Sequence, residues 1–437
     1  MSVFPKVLIV SREVWNDTTA STITNLFENY DPNKLSYLYI ETKEPNSRCC
    51  QRYFQISEFS LVHKLFKWRT KTGHYIDTNN LKQASKEDNR IATQEAATMQ
   101  YVRGHRSFWF TFAREVLWAF NGWKTKELRR FIQDENPDVV WITGSPLNLM
   151  NRLSLYVTKV ANKPYCVFEM DDVYPSARFC WNPLKNIYKY YLRKNVRRLI
   201  RGASQLFVIS PKMKKEYDRL FGTNSILLTK GIDFSSSSFH PHKVSKPIQM
   251  VYMGQIIYDR LSSLQLIGKA LDEINKEEHR IVLNIYTRNP IDSHCVAEMT
   301  KNNSIVFHNP VPYAEVNNVI EQNAIVVFVE SLRDQYKNVA RLSFSTKITD
   351  YLASGKCIFA VGPSDSAPIE YFTENDSALV ASNYSEIINK LHIMLQSGTV
   401  EEYALKAYTC GQKNHDRVKL NATMYGKICE LANQNQR

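Results

Sequence analysis

The chain has 437 residues, 43% of them hydrophobic, which is enough for two substantial α/β cores and too apolar for a disordered polypeptide. A formal net charge of +13 points to polyanionic partners, whether nucleic acid, an anionic membrane surface or phosphorylated substrates. No run approaches the roughly 18 to 20 apolar residues that span a bilayer, and the N-terminal MSVFPKVLIVS leads into a strand without a cleavable signal pattern, so a cytoplasmic or peripheral location is expected.

Apolar β-like runs alternate with helical patterns twice over, which predicts two parallel-sheet domains. The first six strands are expected at 6–10, 35–40, 138–142, 165–168, 205–209 and 225–228. The second six fall at 248–253, 281–286, 304–307, 324–329, 357–361 and 378–380. The Ser/Pro-rich stretch from Ser235 to Pro247 reads as the linker, giving domains at 1–245 and 246–410 and a C-terminal helix over 411–437. The polar segment 70–100 is expected to be a mobile excursion of the first domain. Eight cysteines include no CxxC pair, and adjacent Cys49 and Cys50 suit neither an ordinary disulfide nor a zinc site, so a reducing compartment and no structural metal are expected.

Several clusters in chain order carry chemistry. Asn16 to Ser21, NDTTAS, follows the first strand. Arg103 to Trp123 concentrates tryptophan and phenylalanine, and Lys185 to Arg201 sets seven cations among tyrosines. Basic stretches with large aromatics suit the headgroup layer of an anionic membrane; a core helix and a solvated helix face are the alternatives. Glu169, Asp171 and Asp172 end a buried strand, and clustered carboxylates raise one another's pKa and serve as acid, base or hydroxyl ligands; one of them capping the next helix is the other reading.

In the second half, Gly254 follows a strand and lets a ligand approach the backbone, with Arg260 nearby as a cation for a diphosphate. His308 and Tyr313 lie on a strand and turn, where Tyr313 can line a base pocket. Glu330 stands just past a strand's carboxyl end, placed for sugar hydroxyls or for an ion pair with Arg333 or Arg341. In LSFSTKITDYLASGKCIFAVGP, from Leu342 to Pro363, Ser345 or Thr346 caps a helix, Ile348, Tyr351 and Leu352 share its apolar face, and Gly355 ends it. Free N–H groups at such a helix start, with Lys347 beside them, form a diphosphate cradle. Asp350, one turn on, can accept from sugar hydroxyls.

The pattern S-T-K-I-x-D-Y-L-A-S-G-K, then an apolar strand and Gly-Pro, resembles the nucleotide-binding signature of GT-B glycosyltransferases of the family 4 type, found in bacterial polysaccharide assembly. The resemblance covers 248–380 most strongly. It implies two Rossmann-like doubly wound domains facing a central cleft, with donor contacts from Gly254, Arg260, His308, Tyr313, Ser345, Thr346, Lys347 and Asp350. It puts Asp171, Asp172 and Glu330 at the chemistry and Asn16 and Thr19 on the acceptor side, although the family's Gly-Gly loop there is missing. Asp350 stands where the family has glutamate, and Leu342 replaces the partner carboxylate. The last segment, with Val418, Tyr425 and Ile428 on one face, is similar to the family's terminal helix that crosses back to the first domain.

The resemblance implies transfer of a hexose from a nucleotide-diphosphate sugar to a surface or capsular polysaccharide, a lipid-linked glycan or a similar acceptor, with retention. No cofactor and no obligatory metal are expected, since helix ends and basic side chains neutralise the leaving phosphate. An anionic membrane surface is the expected further partner, and nucleic acid is not, because no RNA-binding sheet, zinc-finger or helix-turn-helix pattern focuses the charge. A nucleotide-sugar epimerase of the same fold and a non-catalytic membrane or polyanion binder are the alternatives.

Overall fold

The computed structural model describes residues 4–17, 22–67, 69–78, 108–120, 122–174, 179–235, 239, 244–339 and 341–434. Contacts divide the chain into two compact units: the first holds the described residues of Met1–Ile209, Lys214–Leu228 and Asn421–Arg437, the second those of Ser210–Met213 and Thr229–Leu420.

In chain order the first unit carries β1 (Val7–Val10), α1 (Thr22–Phe27), β2 (Leu35–Tyr39), β3 (Arg52–Ile56), α2 (Glu58–Phe66), β4 (Gly73–Asp77), α3 (Phe108–Ala119), α4 (Lys126–Glu135), β5 (Val139–Thr143), α5 (Asn148–Ala161), β6 (Tyr165–Glu169), α6 (Pro183–Gly202), β7 (Gln205–Val208), most of α7 (Pro211–Phe221) and β8 (Ile226–Leu227). Its sheet runs β4-β3-β2-β1-β5-β6-β7-β8, parallel except for the β3–β4 pair. Strands such as VLIV and VVWIT are buried along their whole length because helices cover both faces of a parallel sheet.

Among the described residues of this unit, eight strands stand where six are expected. The two extra ones are β4, at the edge, and β3 beside it, whose Tyr53, Phe54 and Ile56 are buried although Arg52 and Gln55 interrupt its apolar run. Gly73–Asp77, GHYID, falls inside the segment expected to be an excursion, yet it pairs antiparallel with β3 from Gly73 opposite Ile56 to Asp77 opposite Arg52. A Cβ on Gly73 would stand 2.6 Å from the Phe54 ring, so the pairing requires glycine there. The rest of that segment from 79 onward lies outside the described residues.

The second unit carries β9 (Ile248–Met253), α8 (Arg260–Ile274), β10 (Ile281–Tyr286), α9 (Ser293–Thr300), β11 (Ile305–His308), α10 (Val316–Glu321), β12 (Ile325–Val329), α11 (Thr346–Ala353), β13 (Cys357–Val361), α12 (Ala367–Glu374), β14 (Leu379–Ala381), α13 (Tyr384–Met394) and α14 (Thr399–Asn414). The sheet order is β11-β10-β9-β12-β13-β14, all parallel. This is the doubly wound order whose direction of winding reverses between β9 and β12, and ligands of such sheets bind outside the carboxyl ends of the strands at that reversal. Met250, Leu283, Ile325 and Phe359 from four strands and Leu264, Ile267 and Leu271 from α8 form one apolar core.

A last helix, α15 (Arg417–Gln434), begins in the second unit, and from Asn421 onward it belongs to the first. Its buried face is Met424, Ile428 and Leu431, while Val418, expected on that face, is 73% exposed. Tyr425 donates its hydroxyl to the Leu26 carbonyl at 2.7 Å and packs edge-on to the rings of Phe4 and Tyr30. All eight cysteines are free thiols.

Candidate functional site

Helix α11 starts at the carboxyl edge of the second sheet because it feeds β13 from that side. Ser345 takes extended angles (φ −66°, ψ 133°) and its hydroxyl accepts from the Lys347 N–H, the side-chain cap that ends a run of free amides. Ile348, Tyr351 and Leu352 turn inward, and Gly355 closes the helix at φ +66°. Thr346 occupies the first helical position, and its carbonyl accepts the Thr349 hydroxyl at 2.7 Å.

Lys347 points from this helix start toward the end of β9. Its ammonium donates to the Met253 carbonyl at 2.9 Å. A Cβ on Gly254 would lie 2.8 Å from both that Nζ and the Tyr252 hydroxyl, so glycine is what lets the strand end and the lysine meet. Burial, reinforced by the charge of Arg260 and opposed by Glu330 and Asp350, lowers the Lys347 pKa to about 8.

Past Gly254 the backbone takes left-handed angles at two consecutive non-glycine residues, Tyr258 (φ 55°) and Asp259 (φ 59°), before α8 begins. Such angles cost about 1–2 kcal/mol per residue and gather at functional loops. The turn delivers Arg260 to Glu330, which sits just beyond β12. The guanidinium grips the carboxylate through Nη2 at 2.8 and 2.9 Å and Nε at 3.1 Å. Burial pushes the Glu330 pKa up, while Arg260 and Lys347 pull it down. Ser263 fixes the same loop by donating to the Glu330 carbonyl at 3.0 Å and accepting from the Leu332 N–H at 3.0 Å.

The structure therefore brings Gly254, Arg260, Glu330, Ser345, Thr346 and Lys347 to the sheet's reversal point. It joins the expected diphosphate cation and the expected sugar carboxylate to each other. Glu330 pairs with neither of the loop arginines proposed for it: Arg333 binds Asp259 at 2.7 Å. Asp350 is ion-paired with Lys230, a residue that sequence reasoning missed. Leu342, in the partner carboxylate's place, is buried, and its carbonyl accepts the Ser210 hydroxyl at 2.8 Å.

His308 ends β11 and stacks on Tyr286 with ring centroids 4.5 Å apart and planes within 8°. Its Nε2 lies 2.8 Å from Asn284 Oδ1, and burial lowers its pKa. The Tyr286 carbonyl accepts the Gly254 N–H at 3.2 Å, so the stacked pair abuts the glycine loop. Tyr313 opens a short 3-10 turn, Tyr313–Glu315, ahead of α10.

In the first unit the reversal lies between β1 and β5. A pocket of about 250 Å³ opens there, lined among others by Ser11, Asn16, Thr22, Thr143 and Met170. Asn16 is held in it by a bridge to Asn46; Thr19 lies outside the described residues. Of the carboxylates after β6, Asp171 is exposed, and Asp172 accepts the Tyr217 hydroxyl at 3.1 Å. The buried member is Glu169, 1% exposed. Its Oε2 has no hydrogen-bond partner, and a Cβ on Gly144 would fall 1.7 Å from that oxygen. Burial, followed by the charges of Asp171 and Asp172, pushes the Glu169 pKa up to about 8. Its signal in the sequence was its place as the last residue of an apolar strand.

No protein-family model and no curated protein sequence matches the chain. Solved structures do. Sucrose-phosphate synthase from Thermosynechococcus elongatus is similar with a TM-score of 0.60 at 10% identity over 97% of this chain and 98% of that one. The α,α-trehalose 6-phosphate synthase of Burkholderia multivorans gives 0.60 at 10% identity over 100% and 99%. An E. coli trehalose-6-phosphate protein bound with UDP-2-fluoro glucose gives 0.54 at 12% identity over 97% and 98%. With the two strand orders above, this likeness makes the fold GT-B, two doubly wound parallel-sheet units in one chain.

Proposed function

We propose that the chain is a glycosyltransferase that moves a sugar, a hexose, from a nucleoside-diphosphate sugar to an acceptor. The observation that carries this reading is the capped start of α11, with Lys347 buried against Gly254 at the reversal point of the second sheet. A helix N-terminus and an ammonium held there by the fold stabilise charge developing on a departing diphosphate without reorganising during the reaction. The likeness to two sugar-phosphate synthases, and to an E. coli trehalose-6-phosphate protein solved with UDP-2-fluoro glucose, supports this donor class.

In this reading the Arg260–Glu330 pair shapes the sugar side of the site, and Asp350 takes ligand hydroxyls. Asp171 and Asp172, with Asn16 and Thr19, serve the acceptor. Side-chain cations and the helix end replace an obligatory metal, and the sugar keeps its configuration. The acceptor is a growing surface or capsular polysaccharide, a lipid-linked glycan or a similar molecule, met on the cytoplasmic side of an anionic membrane. Support for the membrane comes from α6: Trp181, just before it, is 100% exposed, Ile187, Tyr190 and Tyr191 are exposed along it, and no acidic residue occurs from Val173 to Lys215.

A thermal-shift series with UDP, GDP, ADP and CMP and their sugars tests the donor reading. The wild-type chain is expected to gain several degrees with one diphosphate series, and Lys347→Ala to lose that gain. A wild type that no nucleotide stabilises would refute the transferase. Interconversion of the bound sugar with no acceptor present would mark an epimerase instead.

A further inference from the structure

Lys230 lies outside every motif named above, yet its ammonium is the partner of Asp350. The four residues around it are each tied to the end of α14 or the start of α15. Thr229 Oγ1 lies 2.7 Å from His415 Nδ1. Gly231 approaches Arg417 so closely that a Cβ would fall 2.6 Å from the Arg417 Cα, a backbone atom that cannot swing aside. Ile232 forms a bridge with Asp416: its N–H donates to the His415 carbonyl at 2.7 Å, and its carbonyl accepts the Arg417 N–H at 2.9 Å. Asp233 accepts from Arg417 Nη2 at 2.7 Å.

Residues 229, 231, 232 and 233 thus anchor a strap whose remaining side chain is directed at one carboxylate. Asp350 is the more open partner, 38% exposed against 13% for Lys230. The lysine is the buried support and the aspartate the accessible end. Asp350 stands one helical turn beyond Lys347, so its open edge faces the same surroundings as the capped helix start. A carboxylate offers only acceptors, and a ligand's hydroxyls supply the matching donors.

We infer that Lys230 is a positioning residue of the donor site: held by the strap, it fixes the Asp350 carboxylate in the orientation that accepts hydroxyl hydrogen bonds from the nucleotide. The inference rests on the donor reading above. Lys230 touches no ligand itself. Its contribution passes entirely through Asp350, so losing either residue has the consequence of losing both.

Calorimetric titration of the full chain with UDP, GDP and ADP, and with their 2′,3′-dideoxy counterparts, tests this. The wild type is expected to prefer the ribose form of its nucleotide by about tenfold or more, the worth of a hydrogen bond to a charged group. Lys230→Met and Asp350→Ala should each abolish that preference while leaving the dideoxy affinity in place. The double substitution should be no worse than either single one, and Lys230→Arg should retain most of the preference.

Retention of the preference in Lys230→Met would overturn the inference, and so would losses that add in the double variant. A merely structural role would show as equal weakening of both ligand forms, which also overturns it. Failure of the wild type to bind any nucleotide would remove the donor reading and the inference together, and that outcome is visible before any substitution is made.

Discussion

Lys347 holds its ammonium where burial works against charge, and this gives the site a pH signature. In the free protein its pKa is lowered to about 8, so the binding-competent cation is lost as pH rises through that value. Affinity for a nucleoside diphosphate should be flat below pH 8 and fall by up to about tenfold per unit above it. Lys347→Met should bind weakly with no such fall, a contrast that titrations between pH 6.5 and 9.5 would read. An unchanged profile in Lys347→Met would assign the pH dependence to another group. The neighbouring Arg260 and Glu330 illustrate a limit of reading residues singly. Each was legible as a candidate from its place after a strand, but their mutual grip depends on the left-handed turn at Tyr258 and Asp259, conformations that neither side chain advertises.

At the scale of elements, the junction of α14 with α15 is held by a buried imidazole. His415 is 1% exposed, with Nδ1 at Thr229 and Nε2 2.8 Å from the Tyr371 hydroxyl, which in turn lies 3.2 Å from Cys410 Sγ. Burial lowers its pKa from 6.5 to about 4. The unfolded chain therefore binds a proton that the folded chain refuses between those values, and stability falls as pH drops from 6.5 toward 4. The most this shift can remove is about 3 kcal/mol, at 1.36 kcal/mol per unit. Calorimetric melting between pH 7.5 and 4.5 should show that slope, and His415→Gln should flatten it while lowering stability at neutral pH. A variant that keeps the wild-type slope would place the titration elsewhere. Helix α11 was legible in full, from its Ser cap to Gly355, because capping and periodicity are local. Strands β3 and β4 were not, because polar residues interrupt RYFQI and GHYID, so neither shows the continuous apolar run that marks the other strands.

For the whole molecule, the net charge of +13 acquires a location. Lys194, Arg198 and Arg201 lie exposed on the C-terminal half of α6, beyond the exposed aromatic side chains of its first half. Each cation near an anionic surface contributes about 1 kcal/mol, and an exposed tryptophan adds burial at the headgroup level. Flotation with vesicles containing anionic lipid should carry the wild type upward at low salt. Lys194→Glu with Arg198→Glu should leave it at the bottom, and Trp181→Ser should weaken the association at high salt. Wild type that stays at the bottom with anionic vesicles at low salt would refute the membrane proposal.

The sequence by itself determined the two parallel sheets, twelve of the fourteen strands among the described residues and the capped helix at the reversal point, because hydrophobic period, caps and glycine positions are properties of neighbouring residues. It also singled out most residues later found together there. Only the tertiary structure decided who partners whom: Arg260 with Glu330, Asp350 with Lys230, and Glu169 rather than Asp171 or Asp172 as the buried carboxyl. Such choices depend on which strand ends and loops meet across long separations, and on how much water each carboxylate keeps, neither of which is written in local pattern.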